Sequence, residues 1–385
     1  MRSRTDMKAR GFSLVELLTV IAIIALVISI IIPVLSGARQ TGKRLASQQL
    51  LSDIAGAAGR FKLDNQGRNP GYFSERQMGS AENGGRGMSG MENAMLDLAG
   101  AGAVIGNVFD TPLDVSQGDI AVGPTSNTRE QVVVRAPLMG TDKGSYFAPS
   151  REYYEAQVAG TQQMSSVPGH AGASESALQL LDVVDAFGSP VLFWSADTYT
   201  LPRVNSRDQF AAINSGGNPA LFYWNSNAAF LSATALGRKG YDQTVPPQPG
   251  VQGSLLGAGA GDLERTLSMT ALLGSISAPR APNGQTVDQL LDENSETSIE
   301  NLFPGLGRGA FVLQAAGADG MYMSSKEKGF STVAPHARNH IEYGLNFKYW
   351  DSFNNRAHRL TDDNGNPTTR DVIAEFDDIV VGGGG

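Results

Sequence analysis

The chain contains no cysteine in 385 residues, so neither a disulfide framework nor thiolate chemistry is open to it. Histidine is scarce, with His170, His336, His340 and His358 only. His336 and His340 could share one helix face near Glu342, but a zinc site needs a third matched ligand. No H-E-x-x-H pattern supplies it, so surface or turn histidines are the simpler reading. No G-x-S-x-G, Walker or Rossmann pattern stands in a strand–helix setting, which leaves an enzyme without a catalytic constellation. No fixed-period repeat is present. Outside the N-terminus, positive charge is in deficit. Net charge is −8, and Arg2, Arg4, Lys8 and Arg10 stand against Asp6 in the first eleven residues. Losing those four bases and one acid leaves −11 on the rest. An acidic body of this kind disfavours nucleic-acid binding.

What the chain does have is a long apolar segment. Leu17–Leu35 holds 19 residues without a charge, and Phe12–Val15 extends it to a full membrane span. Basic residues precede it, which places the N-terminus in the cytoplasm and the remainder outside. A secretory signal would be shorter and would end in an A-x-A site; here Ser36-Gly37-Ala38-Arg39-Gln40 follows. A plain single-pass anchor explains the length and the charge. It does not explain Glu16, since a carboxylate within lipid costs about 2–3 kcal/mol or more and usually has a functional partner. Pro33 removes one helix hydrogen bond and is expected to kink or loosen the helix.

The stretch Gly11-Phe12-Ser13-Leu14-Val15-Glu16 resembles the cleavage and methylation motif of type IV pilins and type II secretion pseudopilins. The resemblance implies cleavage after Gly11 by a prepilin peptidase and N-methylation of Phe12. It implies that Glu16 and Pro33 serve filament assembly, with Glu16 pairing with the terminal ammonium of a neighbouring subunit. Inner-membrane lipid and other pilin subunits are then the expected surroundings.

Leu50, Ile54, Ala58 and Phe61 continue a helical stripe, so a helix is expected over Ser13–Leu63. Gly56 and Gly59 weaken it and, being small, are expected to let a sheet approach. Phe61–Tyr72 stops it with Asn, Gly and Pro, and resembles the family's "DNG-x-YP" helix ending, with Arg68-Asn69 departing from the pattern. A short helix is expected near Met91–Leu98, a strand at Gln131–Val134 and a short helix at Ser176–Val184. Asp185–Trp194 reads as a turn entering an apolar strand and resembles the family's "D-x-W-G-x-P-Y-x-Y", with Phe187 for Trp. Phe311–Gly320 resembles its strand and "S-x-G-A-D-G" turn, and Phe376–Val381 its terminal Asp-Ile strand. Trp194, Trp224 and Trp350 read as core or edge aromatics.

Asp319, Asp377 and Asp378 are candidate ligands for Ca²⁺, which takes six to eight oxygens, and the resemblance to major pseudopilins makes calcium the candidate cofactor. The alternative is a routine Asp-Gly turn with solvated acids. Asp362–Asn366 looks calcium-like, but Pro367 stands where an EF-hand loop needs glycine, so an Asn-Gly hairpin is expected there.

The expected fold is α+β: a long N-terminal α-helix, membrane-spanning in its first half, packed on an antiparallel β-sheet. The expected segments are a leader at 1–11, the helix at 12–65 and a pilin-like domain at 66–385. Insertions at about 66–180 and 200–305 are expected to decorate the sheet and to carry any specific binding. The expected role is a non-enzymatic filament subunit supporting protein secretion. The alternative is a minor pilin acting as an adhesin or ligand-binding surface protein.

Overall fold

The computed structural model describes residues 14–74, 77, 89–100, 102–123, 131–135, 144–156, 181–195, 203–204, 211–212, 221–222, 272–274, 279–280, 303–304, 307–324, 327, 350–351, 356–357 and 372–383. Helix α1 (Leu14–Asp64) has 51 residues, a rod of about 77 Å. It runs on through Pro33. Its end follows the expected stop: Gln66 and Gly67 take left-handed backbone, and the Gly67 N–H donates to the Lys62 carbonyl at 2.9 Å.

The two halves of α1 differ sharply. From Leu14 to Leu35 every Leu, Ile and Val side chain is 44–78% exposed. From Ser47 onward one stripe is buried: Ser47, Leu50, Leu51, Ile54, Ala57, Ala58 and Phe61. This contains the whole stripe expected from the spacing. Gly56 and Gly59 do not serve the close approach: a Cβ at either would meet nothing within 4 Å. Ala57 and Ala58 are the small residues turned inward.

The stripe packs on a three-stranded antiparallel sheet. Its strands are β6 (Leu192–Ser195), β12 (Phe311–Ala315) and β15 (Ile379–Gly383), in the order β15-β12-β6. The pleat divides β12 by its period of two. Phe311, Leu313 and Ala315 join the core beneath the helix, where Phe193 and Phe311 stack with centroids 5.1 Å apart. Val312 and Gln314 alternate with them and are also fully buried.

Helix α2 (Gly90–Leu98) packs on β6 and on α1. Ser89 and Glu92 form its capping box. Residues 90–98, expected as decoration of the sheet, therefore belong to the core, and Met91, Ala94, Met95 and Leu98 are buried there. A second antiparallel sheet joins β1 (Val104–Asn107), β2 (Asp119–Val122) and β3 (Val132–Arg135). Asp119 and Arg135 face each other across it and pair at 2.8 Å. Strands β4 (Tyr154–Ala156) and β5 (Leu181–Val183) pair antiparallel. The helix expected at Ser176–Val184 is thus a strand where it is described. Short antiparallel ladders complete the fold: β7 (Arg203–Val204), β8 (Ala211–Ala212) and β9 (Leu221–Phe222); β10 (Pro279–Arg280) with β11 (Phe303–Pro304); and β13 (Trp350–Asp351) with β14 (Arg356–Ala357). The architecture is α+β, a long N-terminal helix with antiparallel sheets.

Candidate functional site

Among the described residues, two places carry chemistry or contact surface. The first is the bare half of α1. Sixteen large apolar side chains between Leu14 and Leu35 are left uncovered by the described fold. Water is a poor neighbour for a surface of this size, so it belongs against lipid or other protein. This is one helix long and apolar enough to cross a membrane, near the N-terminus. Glu16 lies in its first turn, where the helix dipole favours a carboxylate. Thr19 Oγ1 donates to the Glu16 carbonyl at 2.9 Å. Gly11 and Phe12 lie outside the described residues.

The second place is a cluster of side chains where three separated motifs meet. In the Asp185–Pro190 turn, Asp185 Oδ1 accepts the N–H groups of Phe187 (3.0 Å) and Ser189 (2.8 Å). The Pro190 carbonyl accepts from the Tyr322 hydroxyl, just beyond the Gly317–Gly320 turn. The same turn is held by the C-terminal motif: Asp377 Oδ2 accepts the N–H groups of Ala318 at 2.6 Å and Asp319 at 3.0 Å. Gly317 is required there. Its φ is +69°, and a Cβ would come within 2.5 Å of the Asp377 carbonyl oxygen.

The two neighbouring aspartates do different work. Asp378 turns into the sheet and is buried. Its Oδ2 accepts from Gln314 Nε2 at 2.6 Å and its Oδ1 from the Met323 N–H at 2.8 Å. Gln314 Oε1 in turn accepts from Trp194 Nε1 at 3.1 Å, so one polar chain joins β6, β12 and the lead-in to β15. Burial pushes the Asp378 carboxyl well above the ordinary carboxylate range, against the pull of its two donors. Asp377 instead meets Asp319 and Glu327, with one oxygen from each lying within 4.8 Å of the others. Of the expected trio, Asp319 and Asp377 come together; Asp378 points elsewhere, and Glu327 completes the group. Glu327 stands between Lys326 and Lys328 and belongs to no motif, so only its place shortly after the Gly320 turn could have marked it.

These residues fit a hard divalent cation. Glu327 Oε1 accepts from the Asp377 N–H at 2.9 Å, but Glu327 Oε2 and Asp377 Oδ1 are buried with no hydrogen-bond donor among the described residues. Buried acceptors of this kind ordinarily have a partner. Burial, helped by the charges of Asp377 and Asp319, pushes Glu327 up to about 7. His170, His336, His340, Glu342, His358, Trp224 and the Asp362–Asn366 hairpin lie outside the described residues.

No curated protein and no solved structure matches the chain. Residues 6–32 match the family model described as the prokaryotic N-terminal methylation motif. That span covers Gly11, Phe12 and Glu16 and most of the uncovered apolar half of α1. The chain thus carries the type IV pilin and pseudopilin signature at the head of a bare helix whose other half is packed on an antiparallel sheet.

Proposed function

We propose that the protein is a structural subunit of a type II secretion pseudopilus or a type IV pilus-like filament that supports protein export. The observation that carries this is the division of α1. One continuous helix presents an uncovered apolar rod with an early carboxylate, then anchors itself in its own domain. Such a rod has two stable settings, lipid before assembly and a bundle of identical rods afterwards, and neither wets it. On this reading a prepilin peptidase cleaves after Gly11 on the cytoplasmic face, and Phe12 becomes the methylated terminus. Glu16 then receives the terminal ammonium of a neighbour, and Pro33 gives the packed helix local freedom. The folded domain stands on the far side of the inner membrane.

The competing role is a minor pilin whose large additions bind a surface or ligand. A deletion strain separates the two. The secretion reading predicts loss of protein export with surface adhesion unchanged. Lost adhesion with normal export would make the protein an adhesin.

We further propose that Asp319, Glu327 and Asp377 hold Ca²⁺ with nearby loop carbonyls. The cation would supply the positive charge that the two buried oxygens lack, and would clamp the C-terminal strand to the Gly317–Gly320 turn. The pH dependence has a definite sign. Glu327 is raised from 4.5 to about 7 by folding. Between those values the folded chain keeps a proton that the unfolded chain has released, so metal-free stability falls as pH rises through that window. Calcium will therefore raise the thermal midpoint at about pH 7.5 and far less at about pH 5. Asp377→Asn will remove most of the shift. The same calcium-induced shift in that variant, or none in the natural chain, would count against the site.

A further inference from the structure

We infer that Arg39, Lys43 and Arg44 form a cationic collar that binds anionic phospholipid head groups where α1 leaves the membrane. The inference rests on the reading that the apolar half of α1 spans a bilayer. All three residues are exposed. Arg39 and Lys43 are four apart and share a face, and Arg44 carries the charge a further quarter-turn around the helix. From Leu17 through Ser52 there is no acidic residue, so nothing on the helix itself neutralises them.

Their height fits the head-group layer. The apolar segment ends at Leu35, so Arg39 lies about 6 Å beyond it and Lys43 and Arg44 about 12–14 Å. The polar layer on each side of a bilayer is roughly 5–8 Å deep, and Lys and Arg side chains reach back several ångströms to place their charge at the interface. The folded domain begins at this same level. The Lys43 ammonium is 5.5 Å from the centroid of the Phe187 ring, and Ser47, one turn further, is the first fully buried residue of α1.

Charge supplies the reason for a lipid partner. Residues 45–385 carry −13, so the domain alone is repelled by an anionic surface. The collar offsets that repulsion at the one place where domain and membrane meet. It does so on the side of the membrane that the positive-inside rule leaves poor in Lys and Arg. The four leader bases Arg2, Arg4, Lys8 and Arg10 outnumber the three of the collar, so the same rule still places the N-terminus in the cytoplasm.

The test uses the full chain in phosphatidylcholine vesicles carrying trace spin-labelled phosphatidylglycerol or phosphatidylcholine. Electron paramagnetic resonance reads the fraction of each lipid held at the protein surface. The collar predicts phosphatidylglycerol enrichment over phosphatidylcholine by roughly twofold or more, reduced towards parity in high salt. The triple variant R39Q/K43Q/R44Q will lose most of that enrichment, and R39Q alone part of it. Both variants keep the leader charges, so the difference reports the collar. Equal enrichment in natural and triple-variant chains would overturn the proposal. So would a triple variant that keeps lipid selectivity but loses filament assembly, which would assign the collar to the acidic surface of a second copy. If neither lipid is held at all, the spanning reading fails and the collar with it.

Discussion

Glu16→Ala will leave leader removal intact and reduce filament yield by about a hundredfold or more. The two effects separate because they belong to different stages. On the proposed function, cleavage would act at the Gly11–Phe12 bond on a chain still in the membrane, four residues from the carboxylate. Assembly, on the same reading, would move Glu16 from lipid into a bundle of apolar helices, where the terminal ammonium of a neighbour needs a counter-charge. Removing one member of a buried ion pair costs about 3–5 kcal/mol, because the other charge is left without compensation. At 1.4 kcal/mol per tenfold, that weakens each subunit addition by about two to three and a half orders of magnitude. Glu16→Gln keeps the shape and the hydrogen-bonding capacity but not the charge, so its yield will lie between the two. Sheared-filament fractions measured against total protein give the readout. Natural yield from the alanine variant would remove the assembly role of this carboxylate.

Gln314→Leu will destabilise the folded domain by about 2–4 kcal/mol despite placing an apolar side chain in a buried strand. Gln314 occupies the middle strand of the sheet and is itself fully buried. Its carboxamide takes the Trp194 N–H on one side and gives its own N–H to Asp378 on the other. Leucine satisfies neither group, and both are enclosed. Buried polar groups deprived of partners cost more than their hydrogen bonds contributed. Trp194→Phe removes only one end of the chain, so its cost will be smaller, about 1–2 kcal/mol. The double variant will cost less than the sum, because the two residues share one bond. Denaturant unfolding of residues 40–385 measures all three. Full additivity would mean that the network carries no coupling.

Much of this architecture was legible in the sequence because it rests on local patterns. The stripe Leu50, Ile54, Ala58, Phe61 marked the packed face of α1, and the Asn, Gly and Pro of Phe61–Tyr72 marked its end, expected at Leu63 and found at Asp64. The turn-and-strand motifs at Asp185, Phe311 and Phe376 were each weak alone. Their meaning lay in convergence, since Tyr322 reaches Pro190 and Asp377 reaches Ala318 only once the chain has folded. What escaped depends on distant partners. Leu181–Val183 is three residues long, too short to show a period, and becomes a strand by pairing with Tyr154–Ala156. Helix α2 was expected from its sequence, but its place in the core follows from contacts with β6 and α1 that no local signal encodes. Gly56 and Gly59 suggested a close approach, yet they fall on the opposite side of α1 from Ala57 and Ala58. The acidic cluster was legible in part: Asp319 and Asp377 lie in motifs, whereas Glu327 lies between two lysines. Adjacent Asp377 and Asp378 read alike in sequence but diverge, one to the acidic cluster and one to Gln314.

On the proposed function, the N-terminal segment is processed and reused, first as a membrane anchor and then as the core of a filament. The mass of the mature N-terminal peptide, taken from cells with an active prepilin peptidase, tests it most directly. The expected chain begins at Phe12 and carries an N-methyl group. A chain that retains residues 1–11 in those cells would contradict it.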